Sequence, residues 1–132
     1  MKVIVDTSVW SLAIRRKTPS TQPEVTRLAE LIADEQPVYL LGVILFELLS
    51  SIKEHSQALK IRRHLESFPL LDLDRSGYVN AATLGSHCRS KGIQAGTVDL
   101  LIAQTAIEYG CHLLTTDKDF VQIARHSSLR LL

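Results

Sequence analysis

The sequence predicts an α/β domain, with a parallel β-sheet covered by helices on both faces. Three observations predict it. Short apolar runs alternate with segments of helical periodicity. Those runs are apolar without polar alternation, as strands buried on both faces are. No repeat, low-complexity tract or linker interrupts the 132 residues, so a single domain spanning 1–132 is expected. A chain of this length buries roughly 65–70% of the surface its unfolded form exposes, enough for a core.

Each element follows from local pattern. Lys2–Val5 is a β-branched run and a strand. Val9–Ile14 has room for one or two helical turns. The segment Arg15–Pro23 is basic and then turn-rich, hence a loop. Glu24–Asp34 carries Val25, Leu28, Leu31 and Ile32 at helical spacing. Pro37 opens the strand "VYLL". Val43–Glu54 and Ser56–Ser67 read as helices, and "FPLLDLD" holds a short strand. Ser76–Lys91 is a helix rich in small residues, ending near Gly92. Thr97–Tyr109 is a helix closed by Gly110, with Thr97 as its expected N-cap. Leu113–Thr116 is a strand, Phe120–Arg125 a short helix and Leu129–Leu132 a last strand.

Composition narrows the function. An apolar fraction of 45% argues against disorder. Fifteen basic residues balance fourteen acidic ones, for a net charge of +1, so overall charge decides nothing about partners. Cys88 and Cys111 form no paired motif, and no Cys/His set has zinc spacing. No signal peptide is expected, because the first residues already read as a strand; a reduced cytoplasmic setting follows. The longest apolar run, Val38 to Phe46, falls well short of the ~20 residues of a membrane span. No GxxxxGK[ST], GxGxxG or GxSxG is present.

The carboxylates carry the signal. Glu24, Glu30, Asp34, Glu35, Glu54, Glu66 and Glu108 fall on polar helix sides or turns. Five others read differently. Asp6 ends the first strand, where an Asp either caps the next helix or meets a ligand at the sheet edge. Glu47 is the one charged residue between Val38 and Ile52, so it needs a partner or a cavity. Asp99 lies in the first turn of its helix, where the dipole favours an anion by ~0.3–1 kcal/mol. It also shares a face with Ile102, Ala103 and Ala106, which aims it inward. Asp117 follows a strand as Asp6 does. Asp119 reads equally as site support or as a helix cap paired with Gln122.

Asp6, Asp99 and Asp117 are expected to converge on one sheet edge, with Glu47 in reach. Such a group repels itself unless a counter-charge is present. A hard divalent cation with oxygen ligands fits, Mg²⁺ first; the absence of a His/Cys cluster argues against zinc. That site favours phosphodiester hydrolysis.

The segments "VIVDTSVW", "VILFELLSS", "KGIQAGTVDLLIAQTA" and "LLTTDKDF" resemble, in this order, the four signatures of PIN-domain nucleases. Length and spacing resemble the small VapC-like toxins. The resemblance implies a three-layer α/β/α PIN-like fold. It implies a Mg²⁺- or Mn²⁺-dependent endoribonuclease, the toxin of a type II toxin–antitoxin pair. It implies a homodimer and a cognate antitoxin; the short apolar runs already argue against a membrane partner. Asp6, Asp99 and Asp117 would be the metal ligands, and Glu47 would join them directly or through water. Asp119 matches a more variable fifth acid, and Thr115 a hydroxyl that orients an acid or a water. Thr7 and Ser8 stand where many relatives have Thr-Asn.

Cations expected near RNA are Arg15, Arg16, Lys17, Lys53, Lys60, Arg62, Arg63, Arg89, Lys91 and Lys118, although Lys60–His64 reads best as a solvated helix face. Trp10 and Tyr39 read as core or interface. An antitoxin would insert a cation among the acids, or cover apolar surface near Trp10 or the Ser56–Leu65 helix. The competing readings are a metal-dependent DNA nuclease, a phosphatase and, weakest, a phospho-receiver signalling domain, which would need paired acids after the first strand.

Overall fold

Strand β1 (Val3–Val5) is wholly buried, three β-branched residues with no accessible surface. The computed structural model describes residues 1–14 and 20–132. The expected loop at Arg15–Pro23, and the cations Arg15, Arg16 and Lys17, lie wholly or partly outside the described residues. After β1 come α1 (Thr7–Ile14), α2 (Pro23–Ala33), β2 (Val38–Leu41), α3 (Gly42–Ser50) and α4 (His55–Leu65). Then follow β3 (Leu70–Leu71), α5 (Arg75–Ser90), α6 (Thr97–Tyr109), β4 (His112–Leu114), α7 (Asp119–Arg125) and β5 (Arg130–Leu131).

The five strands form one parallel sheet in the order β3-β2-β1-β4-β5, with helices on both faces, a three-layer α/β/α arrangement. Val3 pairs with Val38 on one side and His112 on the other, which fixes the register at the centre. The chain runs outward from β1 through β2 to one edge, and from β4 to β5 at the other. The order therefore reverses between β1 and β4, and the carboxyl ends of strands at such a point form a natural crevice. Asp6 follows β1 there, and its N–H bonds to Leu114 O at 2.9 Å.

Helix α6 buries Ile102, Ala103 and Ala106, the face expected to carry Asp99. It ends at Gly110 in the left-handed region (φ 64°), and Cys111 N–H returns to Ala106 O at 2.8 Å, closing the helix. Helix α5 packs antiparallel on it. A Cβ on Gly85 would lie 2.9 Å from Leu100, and one on Gly77 3.0 Å from Glu108, so small residues set the approach. This places Arg89 and Lys91, at the end of α5, beside the first turn of α6.

Several boundaries differ from expectation. Helix α3 stops at Ser50 rather than Glu54, because the Ser50 and Ser51 hydroxyls bond back to Glu47 O and Leu48 O. Strand β4 ends at Leu114, before Thr115 and Thr116. The N-cap of α6 is Gly96, with Thr97 the first helical residue. Helix α7 is preceded by Lys118, which makes no side-chain cap, and Asp119 is its first residue; the expected Asp119–Gln122 capping box does not form. Trp10 is buried and meets the Phe68 ring edge-on at 5.1 Å, as its core reading expects. Cys88 and Cys111 are free and buried. Among the described residues, no helix is long and apolar enough to cross a membrane.

Phe120, on the inner face of α7, is fully buried. Phe120→Ala should lower unfolding free energy by about 3–5 kcal/mol, read from the urea midpoint at unchanged m-value.

Candidate metal centre

The five singled-out acids arrive from four places in the chain. Asp6 follows β1, Glu47 sits on α3, Asp99 in the first turn of α6, and Asp117 and Asp119 at the β4–α7 turn. Oxygens of Asp99, Asp117 and Asp119 all lie within 4.8 Å of one another. Asp99 and Asp117 are half-buried, while Asp119 is exposed. The tightest group thus includes Asp119, the acid whose sequence pattern equally favoured a cap. Asp6 and Glu47 border this group, since both charges act on Asp99.

Burial pushes the Asp99 carboxyl up to about 6 from its usual 3.8, and the charges of Asp117, Asp6, Asp119 and Glu47 push in the same direction. Among the described residues no cation pairs with these acids. Among the described residues the one ion pair is Arg27–Glu30, at 3.4 Å on the surface of α2. Lys118, between Asp117 and Asp119, is exposed and unpaired with either.

Hydroxyls hold the acids in place. Thr7 Oγ1 donates to Glu47 Oε1 at 2.8 Å. Ser8 Oγ and Thr115 Oγ1 each donate to Asp6 Oδ2 at 2.8 Å. Asp6 is only 6% exposed, so its carboxylate needs these donors. Asp119 N–H donates to Asp117 Oδ1 at 2.9 Å, which shapes the turn into α7. Thr115 therefore orients an acid, one of the two roles its position implied. The Thr7–Glu47 bond was not foreseen; the adjacent hydroxyls of "DTS" were its one trace in the sequence.

The donor set consists of carboxylate and hydroxyl oxygens, which suits a hard divalent cation. Asp99, Asp117 and Asp119 are close enough to share one ion, and a cation there would offset the repulsion that adds to burial in raising Asp99.

The linkage has a definite sign. Folding raises the Asp99 pKa, so the metal-free folded state binds a proton that the unfolded chain releases. Its contribution to stability is present below about pH 4 and lost as the pH rises through about 6. Chelator-treated protein should therefore lose stability over this window, and Asp99→Asn should flatten the slope, as followed by denaturant unfolding against pH. Mg²⁺ added at neutral pH should raise the melting temperature.

Over its full length the chain matches VapBC2 from Rickettsia felis, solved bound to a DNA fragment from its promoter, with 24% identity and a TM-score of 0.79, covering 98% of that chain. It covers 97% of the VapBC-1 chain from nontypeable Haemophilus influenzae, with its own length fully matched, at 16% identity and a TM-score of 0.78. It also matches VapC20 from Mycobacterium tuberculosis, a sarcin–ricin loop cleaving toxin, at 17% identity and a TM-score of 0.68 over 98% of this chain and 99% of that one. At these identities the likeness is one of fold. The family described as PIN domain matches residues 3–126, and the chain belongs to the PIN domain family.

Proposed function

We propose that the protein is a Mg²⁺-dependent endoribonuclease, with Mn²⁺ an alternative ion, and the toxin of a cytoplasmic type II toxin–antitoxin pair. One observation carries this reading. A PIN domain brings Asp99, Asp117 and Asp119 within 4.8 Å at the carboxyl edge of its sheet, with no cation among the described residues to neutralise them. A relative that cleaves the sarcin–ricin loop favours RNA as substrate.

Asp99, Asp117 and Asp119 would hold the ion, with Asp6 beside them. The ion, when bound, lowers the pKa of water and offsets charge on the phosphoryl group. Glu47 has one oxygen fixed by Thr7, which leaves the other to take the proton of the attacking water. The water oxygen bonds to phosphorus in line, and the bond to the 3′ oxygen breaks. That oxygen takes a proton from solvent water while Glu47 returns its own to solvent, giving 3′-hydroxyl and 5′-phosphate ends. Arg89, Lys91 and Lys118 are exposed and suit backbone phosphates. Lys60, Arg62, Arg63 and His64 are exposed on α4, as a solvated face would be.

An antitoxin needs a separate foothold. A groove of about 750 Å³ runs between α1, α2 and α4, with Trp10, Leu28, Ile32, Ile61 and Phe68 in its walls and Lys60 and His64 also lining it. Its position agrees with the apolar cover expected near Trp10 and the α4 helix, and its composition fits an apolar segment carrying acidic groups. Exposed Phe46, Tyr78 and Val79 supply apolar surface for a homodimer.

Asp6→Asn and Asp99→Asn should each slow RNA cleavage by about 100-fold or more, since each would hold or flank the ion. The assay is purified protein with Mg²⁺ on matched RNA and DNA; undiminished cleavage by either variant, or preference for DNA, removes this assignment. Ala29→Trp, filling the groove, should weaken binding of the neighbouring-gene antitoxin by about tenfold or more, equal to ~1.4 kcal/mol. Cleavage of RNA by the free toxin should not change.

A further inference from the structure

Ser8 lies in the first turn of α1, yet its hydroxyl serves no N–H of its own helix. It accepts the N–H of Thr116 at 3.2 Å, across 108 positions of sequence, and donates to Asp6 Oδ2 at 2.8 Å. Thr115 repeats the pattern. Its hydroxyl accepts Asp117 N–H at 3.0 Å and donates to the same Asp6 oxygen at 2.8 Å. A hydroxyl has one proton. Both protons are therefore spent on Asp6, and the 3.5 Å Ser8–Thr115 contact adds no further donor. Two successive amides thus act through two hydroxyls on one carboxylate oxygen, and such chains polarise one another. Among the described residues, no hydrogen bond reaches Asp6 Oδ1.

We propose that Ser8 is a positioning residue for the cation: it ties the turn bearing Asp117 and Asp119 to Asp6, and with Thr115 it occupies Oδ2 so that Asp6 offers only Oδ1. The inference rests on the reading of the acid cluster as a cation site. It explains the hydroxyl at this position. The residue must donate to a carboxylate and accept from an amide at once, which Ser, Thr and Asn can do and Ala cannot. It also explains why β4 stops at Leu114, since the amides of Thr116 and Asp117 are taken by side chains rather than by a neighbouring strand.

The test uses the full chain freed of metal and titrated with Mn²⁺ by calorimetry, with exchange of the Thr116 amide followed by NMR in the metal-free state. Ser8→Ala should weaken Mn²⁺ binding by about 10- to 100-fold, the scale of a lost supporting partner. It should also speed Thr116 exchange. Ser8→Thr or Ser8→Asn should restore both. Wild-type affinity in Ser8→Ala overturns the proposal, as does equal weakening in all three variants. Wild-type protein that binds no Mn²⁺ overturns the cation reading as well, and is distinguished by its failure before any substitution is made.

Discussion

Repulsion among carboxylates is the constraint on which this structure turns. Two unit charges ~4 Å apart at an effective dielectric of 20 oppose each other by about 4 kcal/mol. Asp99, Asp117 and Asp119 lie within 4.8 Å, and Asp6 and Glu47 add to the same field. The scale is comparable to the whole stability of a small domain, 5–15 kcal/mol. A fold that gathers such charges must hold them firmly and must gain from what neutralises them. Here burial first, and then the charges of the neighbouring acids, raise the Asp99 pKa.

The holding is done by a rigid sheet and by hydroxyls. The centre of the sheet has no accessible surface at Val3, Ile4 and Val5, so Asp6 starts from a fixed backbone. Thr7 and Ser8, consecutive residues at the start of α1, divide the work: one fixes Glu47 and the other fixes Asp6 and the β4 end. Because side chains take up the amides after Leu114, the chain can leave the sheet and turn two acids toward Asp99. The same topology gives two separable surfaces. The acids face the carboxyl edge of the strands, while the apolar groove lies between α1, α2 and α4.

Much of this was legible in the sequence. The apolar runs marked every strand: β1, β2 and β4 because they are largely buried, and the partly exposed edge strands β3 and β5 because their leucines stand apart from the polar turns around them. Asp6, Glu47, Asp99 and Asp117 stood out because each sits where a charge is costly, at a strand end or in an apolar helix face. Asp119 was not separable, since an Asp followed by Gln three residues later is also a helix-cap pattern; only the turn geometry, with Asp119 N–H on Asp117 Oδ1, decided against the cap. The roles of Ser8 and Thr7 were equally hidden. Their partners are separated by 108 and 40 positions, and local periodicity carries no information at that range. Helix ends at Ser50 and Gly96 were missed for a lesser reason: caps depend on hydroxyl rotamers and backbone angles that propensity does not set.

Every feature of the proposed chemistry requires that the acids at the β1–β4 junction form one divalent-cation site. Crystals grown with Mn²⁺ test it most directly, through an anomalous-difference map. A single dominant peak should appear in contact with oxygens of Asp99, Asp117 and Asp119, on the Asp6 side of the turn. A map with no peak among these acids, at Mn²⁺ concentrations that support RNA cleavage, would contradict it.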